Sequence, residues 1–583
     1  MKTSMTYSPN PPRNSHSSPR RPRPVLKPAV ASLQLALLLV SLQAQAQSQV
    51  GVPNAGALLQ QTQPAVPPAA PPAAPSLRVE AGAAANLPAS KPFAVKSIRI
   101  VGNSAFSSQT LHALVADAEG GSATLPELAK LAGRITAYYQ AHGFPLSRAI
   151  VPAQAIGDGQ VTIQVVEAHF GAVRLTNASH VDDALLASTL ASLRPGQAIA
   201  ERDLDRALLL LSDVAGVGVD AVIKPGAAVG AADLEVTARH KPTTFASVVL
   251  DNAGNRYIGR TRLGVSAFLT NLLRHGDVLD ASIISTGHGM DYGRLGYEAL
   301  LSGQGTRAGA AYSRVHYTLQ GDAAALDAYG TAGVSSAWVK QTVVRAREVN
   351  LYAQLEYDAK RLRDRIGVSH TRTDRHLGNW VASLNGDLRD NLLGGGVNAW
   401  SLGWTRGNTR FDDAAAELAD AATARTRGSF SKWNLNASRL QRLGARDALF
   451  LNLSAQAADA NLDSAEKLSV GGPYSVRAYD IGAVSGDRGA VATVELRHDF
   501  GALASGSLEA SAFIDSARVT INHSVWTAAD NSVSLSGAGI GLAWAGADAW
   551  RASLAVATPI GANSALLGPR SSVRGWFSVN KAF

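Results

Sequence analysis

Thirteen histidines and many serines and aspartates are the raw material of hydrolytic or metal chemistry, but their spacing assembles no site. No two histidines are placed to share a helix face as metal ligands, and Gly287-His288-Gly289 reads as a loop. There is no G-x-S-x-G elbow, no H-E-x-x-H helix and no G-x-x-x-x-G-K-[ST] phosphate loop. With no cysteine anywhere, thiolate nucleophiles, thiolate zinc sites and disulfide scaffolds are excluded. The chain is therefore not expected to be an enzyme, and neither a cofactor nor a metal is expected. What remains are charges able to hold a structure in place. In Ser507 to Ala517 the apolar Leu508, Ala510, Ala512 and Ile514 alternate with Glu509, Phe513 and Asp515. As a strand, that segment would carry a carboxylate on a face opposite an apolar one.

The same alternation runs through the last 340 or so residues, where helical periodicity fades. Trp433, Leu435 and Ala437 alternate with Asn434, Asn436 and Ser438, and Leu451, Leu453, Ala455 and Ala457 alternate with Asn452, Ser454 and Gln456. Ala492, Val494, Leu496 and Phe500 oppose Glu495, Arg497 and Asp499. A soluble sandwich also alternates, but its inner face carries large core residues, whereas this one is often only Ala or Gly. The final strand, VRGWFSVNKAF, places Val573, Phe577, Val579 and Phe583 on one face, the pattern expected of a barrel-targeting C-terminus. No stretch beyond the leader reaches 18 apolar residues, which argues against spanning helices. A closed transmembrane β-barrel over 241–583 fits better, because in lipid every backbone polar group must pair internally.

The elements before it have an order of their own. Lys2, Arg13, Arg20, Arg21, Arg23 and Lys27 precede an apolar run and an A-x-A-type site, so 1–46 reads as a secretory signal peptide. Without those six cations the net charge of +9 falls to +3, and the case for a nucleic-acid partner largely dissolves. Residues 47–63 hold a short helix, from Asn54 to Gln63, that could plug a lumen, and 64–92 form a Pro/Ala-rich linker. A β-α-α-β-β module follows over 93–168, with a capping box at Thr124 to Glu127, and the same order returns over 169–240. Ile98-Arg99-Ile100 is echoed by Val173-Arg174-Leu175.

Leu468 to Tyr479, LSVGGPYSVRAY, and Phe513-Ile-Asp515-Ser-Ala517 resemble two motifs of the two-partner secretion transporters, the hemolysin secretion and activation family of the bacterial outer membrane. The resemblance extends over the mature chain: helix, linker, two polypeptide-transport-associated (POTRA) modules and barrel. Asp251 to Gly259, DNAGNRYIG, looks like the run-in to the first barrel strand. The resemblance implies about 16 strands and a lumenal loop whose motif here is Gly471, Gly472, Pro473, Tyr474, Val476, Arg477 and Tyr479. It also implies a strand partner at Phe513 and Asp515, to which Arg477 could bind bidentately. Ala478 and Ala517 stand where the family has glycine, and a Cβ at 478 disfavours positive φ and close approach. The expected function is export of a large partner protein that arrives unfolded in the periplasm, through a channel in the outer membrane of a Gram-negative bacterium. Outer-membrane lipid and the barrel assembly machinery would be its other partners, and a barrel assembly factor or a passive pore are the alternatives.

Overall fold

The computed structural model describes residues 52–62, 76–79, 89–503, 505–562, 564–567 and 571–583. The expected leader over 1–46 and most of the linker lie outside them. In the first module, Thr124 and Glu127 close a capping box on the helix Leu125–Ala141, the Thr124 N–H donating to the Glu127 carboxylate at 2.7 Å. Leu128, Leu131, Ile135 and Tyr139 fall on one helical stripe and are buried against a three-stranded sheet of Ser97–Val101, Gln160–Val166 and Arg148–Ile150. The preceding helix is short. It covers Ser108–His112, and Val115 leaves helical geometry at φ −132° while burying its side chain completely.

The second module packs helices Asp183–Leu190 and Glu201–Ser212 over His169–Ala178, Val217–Pro225 and Ala231–His240. Its sheet has a fourth member from within the linker. Ser76–Val79 lies parallel to Val217–Pro225, with Ser76 opposite Asp220 and Val79 opposite Ile223. Pro/Ala composition hid this strand, because four residues are too few to show a period and the partner supplies the hydrogen bonds.

Sixteen antiparallel strands then close a barrel, from Thr244–Asp251 to Arg574–Ala582, which pair with each other between Ser247↔Ala582 and Asp251↔Ser578. The barrel class and the strand number agree with the sequence expectation. Apolar members of the alternating sets face outward, Ile514 being 55% and Trp433 50% exposed, while Asp515, Lys360 and Arg375 are buried inside. Asp251 to Gly259 is not the run-in to the first strand. Thr244–Asp251 is that strand, and the motif forms the loop beyond it, tied across its base by Asp251 and Arg262 at 2.9 Å. Val248, Val249 and Leu250 are consecutive apolar residues, so this strand lacks the alternation that would have marked it.

The second module is fastened to the turns at the near rim of the barrel. Arg345 grips the Asp213 carboxylate at 2.7 and 2.8 Å, Arg307 donates to the Asp213 carbonyl at 2.7 Å, and Arg347 meets Asp205 at 2.7 Å. In the first module, Glu167 accepts the backbone N–H groups of Ser104 (2.7 Å) and Ala105 (2.8 Å) and the Tyr139 hydroxyl (2.7 Å). Burial pushes the Glu167 carboxyl up, but these donors outweigh it and hold it below the ordinary 4.5. Its stabilising contribution is therefore complete above pH 4.5 and is lost as pH falls through the lowered folded value. Limited proteolysis of the full-length protein in detergent should show Glu167→Ala cleaved several-fold faster than wild type within 104–139 at neutral pH. That difference should shrink once acid has protonated the wild-type carboxyl.

Candidate functional site in the barrel lumen

The loop 459–487 joins strands Asp447–Ala458 and Arg488–Leu503 and folds back into the lumen as a hairpin of Leu468–Val470 and Val484–Gly486. Its tip turns at Gly471 and Gly472, whose φ angles of 107° and 103° disfavour any side chain. A Cβ on Gly471 would also lie 2.2 Å from the Asp480 carbonyl oxygen, and one on Gly472 2.4 Å from Ile481. These two glycines allow the tip to cross back on itself and present Arg477 to the wall.

Arg477 is held on every side. Its Nε and Nη2 donate to the two oxygens of Asp515 at 2.9 and 2.8 Å, and its own backbone N–H adds a third bond at 3.1 Å. Nη1 reaches Glu495 at 2.6 Å, and the guanidinium lies over the Phe513 ring, 3.2 Å from its centroid. Asp515 is fully buried and takes a further bond from Thr493 at 2.9 Å. The last strand joins in, as the Trp576 indole donates to the Arg477 carbonyl at 2.7 Å. Beside it, Asp480 bridges Arg260 (2.7 Å) and Arg574 (2.6 Å). Val476 and Tyr479 pack into an apolar cluster with Phe513, Ala517, Val519 and Leu535. Tyr474 is not brought to the site, being 68% exposed, and Pro473 is only half-buried. Phe577, Val579 and Phe583 lie elsewhere, exposed on the outer surface.

The haemolysin secretion/activation protein family ShlB/FhaC/HecB matches residues 230–544, more than half of the chain, and the ShlB-type POTRA domain matches 93–168. The chain belongs to this family. The heme/hemopexin transporter protein HuxB of Haemophilus influenzae is 25% identical over 469 residues, covering 80% of this chain and 82% of its own. The outer membrane transporter CdiB of Dickeya dadantii is 23% identical over 68% of this chain and 71% of its own. The solved structure of CdiB from Escherichia coli has the same fold, with a TM-score of 0.67 at 21% identity over 96% of this chain and 99% of that one. This ShlB-type protein is thus an outer-membrane transporter of a partner protein, with its POTRA modules in the periplasm.

In this family member the two alanines are accommodated without strain. Ala478 does not adopt positive φ, and its methyl faces Gly537 on a neighbouring strand, where a Cβ would come within 2.4 Å of it. The space lies in the wall, at Gly537, and Ala517 packs within the apolar cluster.

A second set of lumenal contacts, absent from the sequence reading, ties the loop stem to the wall. Glu466 is shared by Lys360 (2.6 Å) and Lys432 (2.8 Å) and accepts from Asn379 at 2.8 Å. Arg375 bridges Asp463 of the loop and Asp364 of the wall, the latter at 2.7 Å. The other oxygen of Asp364 accepts from the Tyr317 hydroxyl (2.6 Å) and from the N–H of Ala55 (2.8 Å), the first residue of the helix Ala55–Thr62. That helix lies among lumenal side chains: Leu58 is fully buried and packs in one cluster with Tyr317, Ile258, Leu462 and Ala465. Long basic residues at inward positions of half-apolar strands were the available signal, but the Glu466 that meets Lys360 and Lys432 lies 106 and 34 residues from them in sequence.

Removing one partner of a buried ion pair costs about 3–5 kcal/mol, so Arg477→Ala should cut export about tenfold or more while the barrel stays folded by heat-modifiability. Arg477→Lys should not rescue, since an ammonium cannot bind both Asp515 oxygens in parallel. Gly537→Val should reproduce the loss by pushing Ala478 off the wall, whereas Ala478→Gly should export near the wild-type level.

Proposed function

We propose that this transporter is gated by strand exchange on its second POTRA module. An unfolded secreted protein in the periplasm displaces Ser76–Val79 from the edge of Val217–Pro225 and pairs there through its backbone, the strand-addition mode of peptide recognition. Displacement draws the helix Ala55–Thr62 from the lumen and frees the path. The observation that carries this reading is that the edge strand and the lumenal helix belong to one short stretch of chain. The 13 residues between them reach at most about 45 Å when extended, so freeing one bears on the other.

The Arg477 lock and the Glu466 network are polar and directional, which suits contacts that must break and re-form. Folding of the exported chain outside the cell supplies the free energy, and the transporter acts as a conduit that catalyses no bond change. Its outward aromatic last strand, with Phe577, Val579 and Phe583, serves as the address read by the barrel assembly machinery, and lipid surrounds the apolar belt.

Arg78 and Val222 are paired in register, and the chain has no cysteine of its own, so Arg78→Cys with Val222→Cys installs a single disulfide across directly paired strands. Export should stop under oxidising conditions and return with reductant; undiminished export by the oxidised form would show that the strand is never released. Leu58→Asp, which places a charge in the buried helix face, should raise the open probability of single channels in planar bilayers, and an unchanged conductance pattern would argue against a plug.

A further inference from the structure

The outer surface of the barrel carries a row of arginines on neighbouring strands. On the strand Val349–Ile366, Lys360, Leu362 and Asp364 point into the lumen, so Arg361 and Arg363 point outward, and both are exposed. Pairing register extends that level around the barrel. Arg361 lies opposite Gly333 on one side and His376 on the other; Gly333 lies opposite Arg314, and His376 opposite Arg410. At about 4.8 Å per strand, Arg314, Arg361 and Arg410 stand in a row spaced about 10 Å apart. Gly333 contributes no side chain to the interval between the first two.

Below this row, toward the periplasm, lies an aromatic girdle. Tyr357 and Trp380 pair across strands with ring centroids 5.0 Å apart, and Arg406 is paired in register with Trp380. Trp404 and Trp433 follow at 6.5 Å, and then the outward residues become aliphatic, with Leu355, Leu384 and Leu453 exposed. Aromatic girdles mark the boundary between hydrocarbon and headgroups, so the arginines sit at the level of the outer-leaflet headgroups. Two carboxylates nearby are already engaged, Asp374 by Arg365 at 2.8 Å and Asp412 by His376 at 2.8 Å. Among the described residues, Arg314, Arg361, Arg406 and Arg410 have no carboxylate within ion-pair distance. On the opposite side, the outward residues near the same end of the strands are Ser516, Ser536, Thr558, Leu250 and Leu263, with Arg518 and Arg488 above them as two arginines rather than a row across five strands.

We propose that this patch, on the five strands from Thr306–Thr318 to Gly396–Phe411, is a docking site for a phosphorylated glycolipid of the outer leaflet. The arginines bind its phosphates bidentately, and its acyl chains lie along the aromatic and aliphatic surface below. Charge complementarity selects this occupant: fork-shaped guanidinium groups without carboxylates, raised just above a lipid-facing apolar wall, face a leaflet whose headgroups bear phosphate. Binding on one side would brace the long strands that carry Lys360, Asp364 and Arg375 on their inner face.

The test uses the purified full-length transporter in detergent, with diphosphorylated hexa-acyl lipid A as the probe and native mass spectrometry as the readout. Wild type should retain lipid A. Arg314→Gln with Arg361→Gln, Arg406→Gln and Arg410→Gln should bind at least about tenfold more weakly while keeping heat-modifiability. In wild type alone, monophosphorylated lipid A should bind more weakly than the diphosphorylated form, and phosphatidylethanolamine should not compete. This arm decides the matter even where the quadruple variant does not fold. Absence of lipid A from wild type, equal binding by the folded variant, or indifference to the number of phosphates would each overturn the assignment. So would loss of export by a variant of a protein that takes up no lipid A, which would make the patch a contact for the emerging polypeptide instead.

Discussion

A sheet placed in hydrocarbon must close on itself, because an open edge would leave a row of N–H and C=O groups with neither water nor partner. Closure in this protein is made by the pairing of the first strand with the last, and most of the remaining architecture is its consequence. Sixteen strands enclose a space too wide for opposing side chains to fill. The protein therefore fills the lumen with segments of its own chain: the loop 459–487 and the helix Ala55–Thr62. Both are held by contacts to the inward-facing side chains of the wall.

The two lumenal anchors solve that problem in related ways. Asp515 and Asp364 each receive several donors, and each is approached by one arginine, Arg477 from the loop tip and Arg375 from the neighbouring strand of the wall. Buried ion pairs of this kind contribute little net stability relative to apolar packing, but they demand one geometry. Specific placement with modest holding energy suits the gating proposed above. Around Arg477 the aromatic face of Phe513 and the Trp576 indole complete the cage, so the last strand, which closes the barrel, also helps hold the loop.

On the periplasmic side the logic is tighter docking. The second POTRA module meets the barrel turns through Asp213 and Asp205, and Leu300 of the barrel is buried in the module's own apolar core. That continuity gives the module's sheet a fixed position beside the mouth of the barrel. Its edge at Val217–Pro225 is covered by the chain's own Ser76–Val79, which protects that edge from indiscriminate pairing.

The sequence by itself determined the class of architecture and the two motifs of the lock. Strand alternation has a period of two and helix stripes have a period of 3.6, so both are local and readable, and Arg477 and Asp515 stand in segments with recognisable neighbours. It also carried the repeated module, because a capping box and a β-branched strand are short-range signals. The tertiary structure alone decided the contacts that cross long stretches of chain. Glu466 meets Lys360 and Lys432, Ala55 meets Asp364, Gly537 makes room for Ala478, and four linker residues become a strand only because a neighbouring edge receives them. These are pairings between distant positions whose own surroundings look ordinary, and only barrel closure brings them within reach of each other.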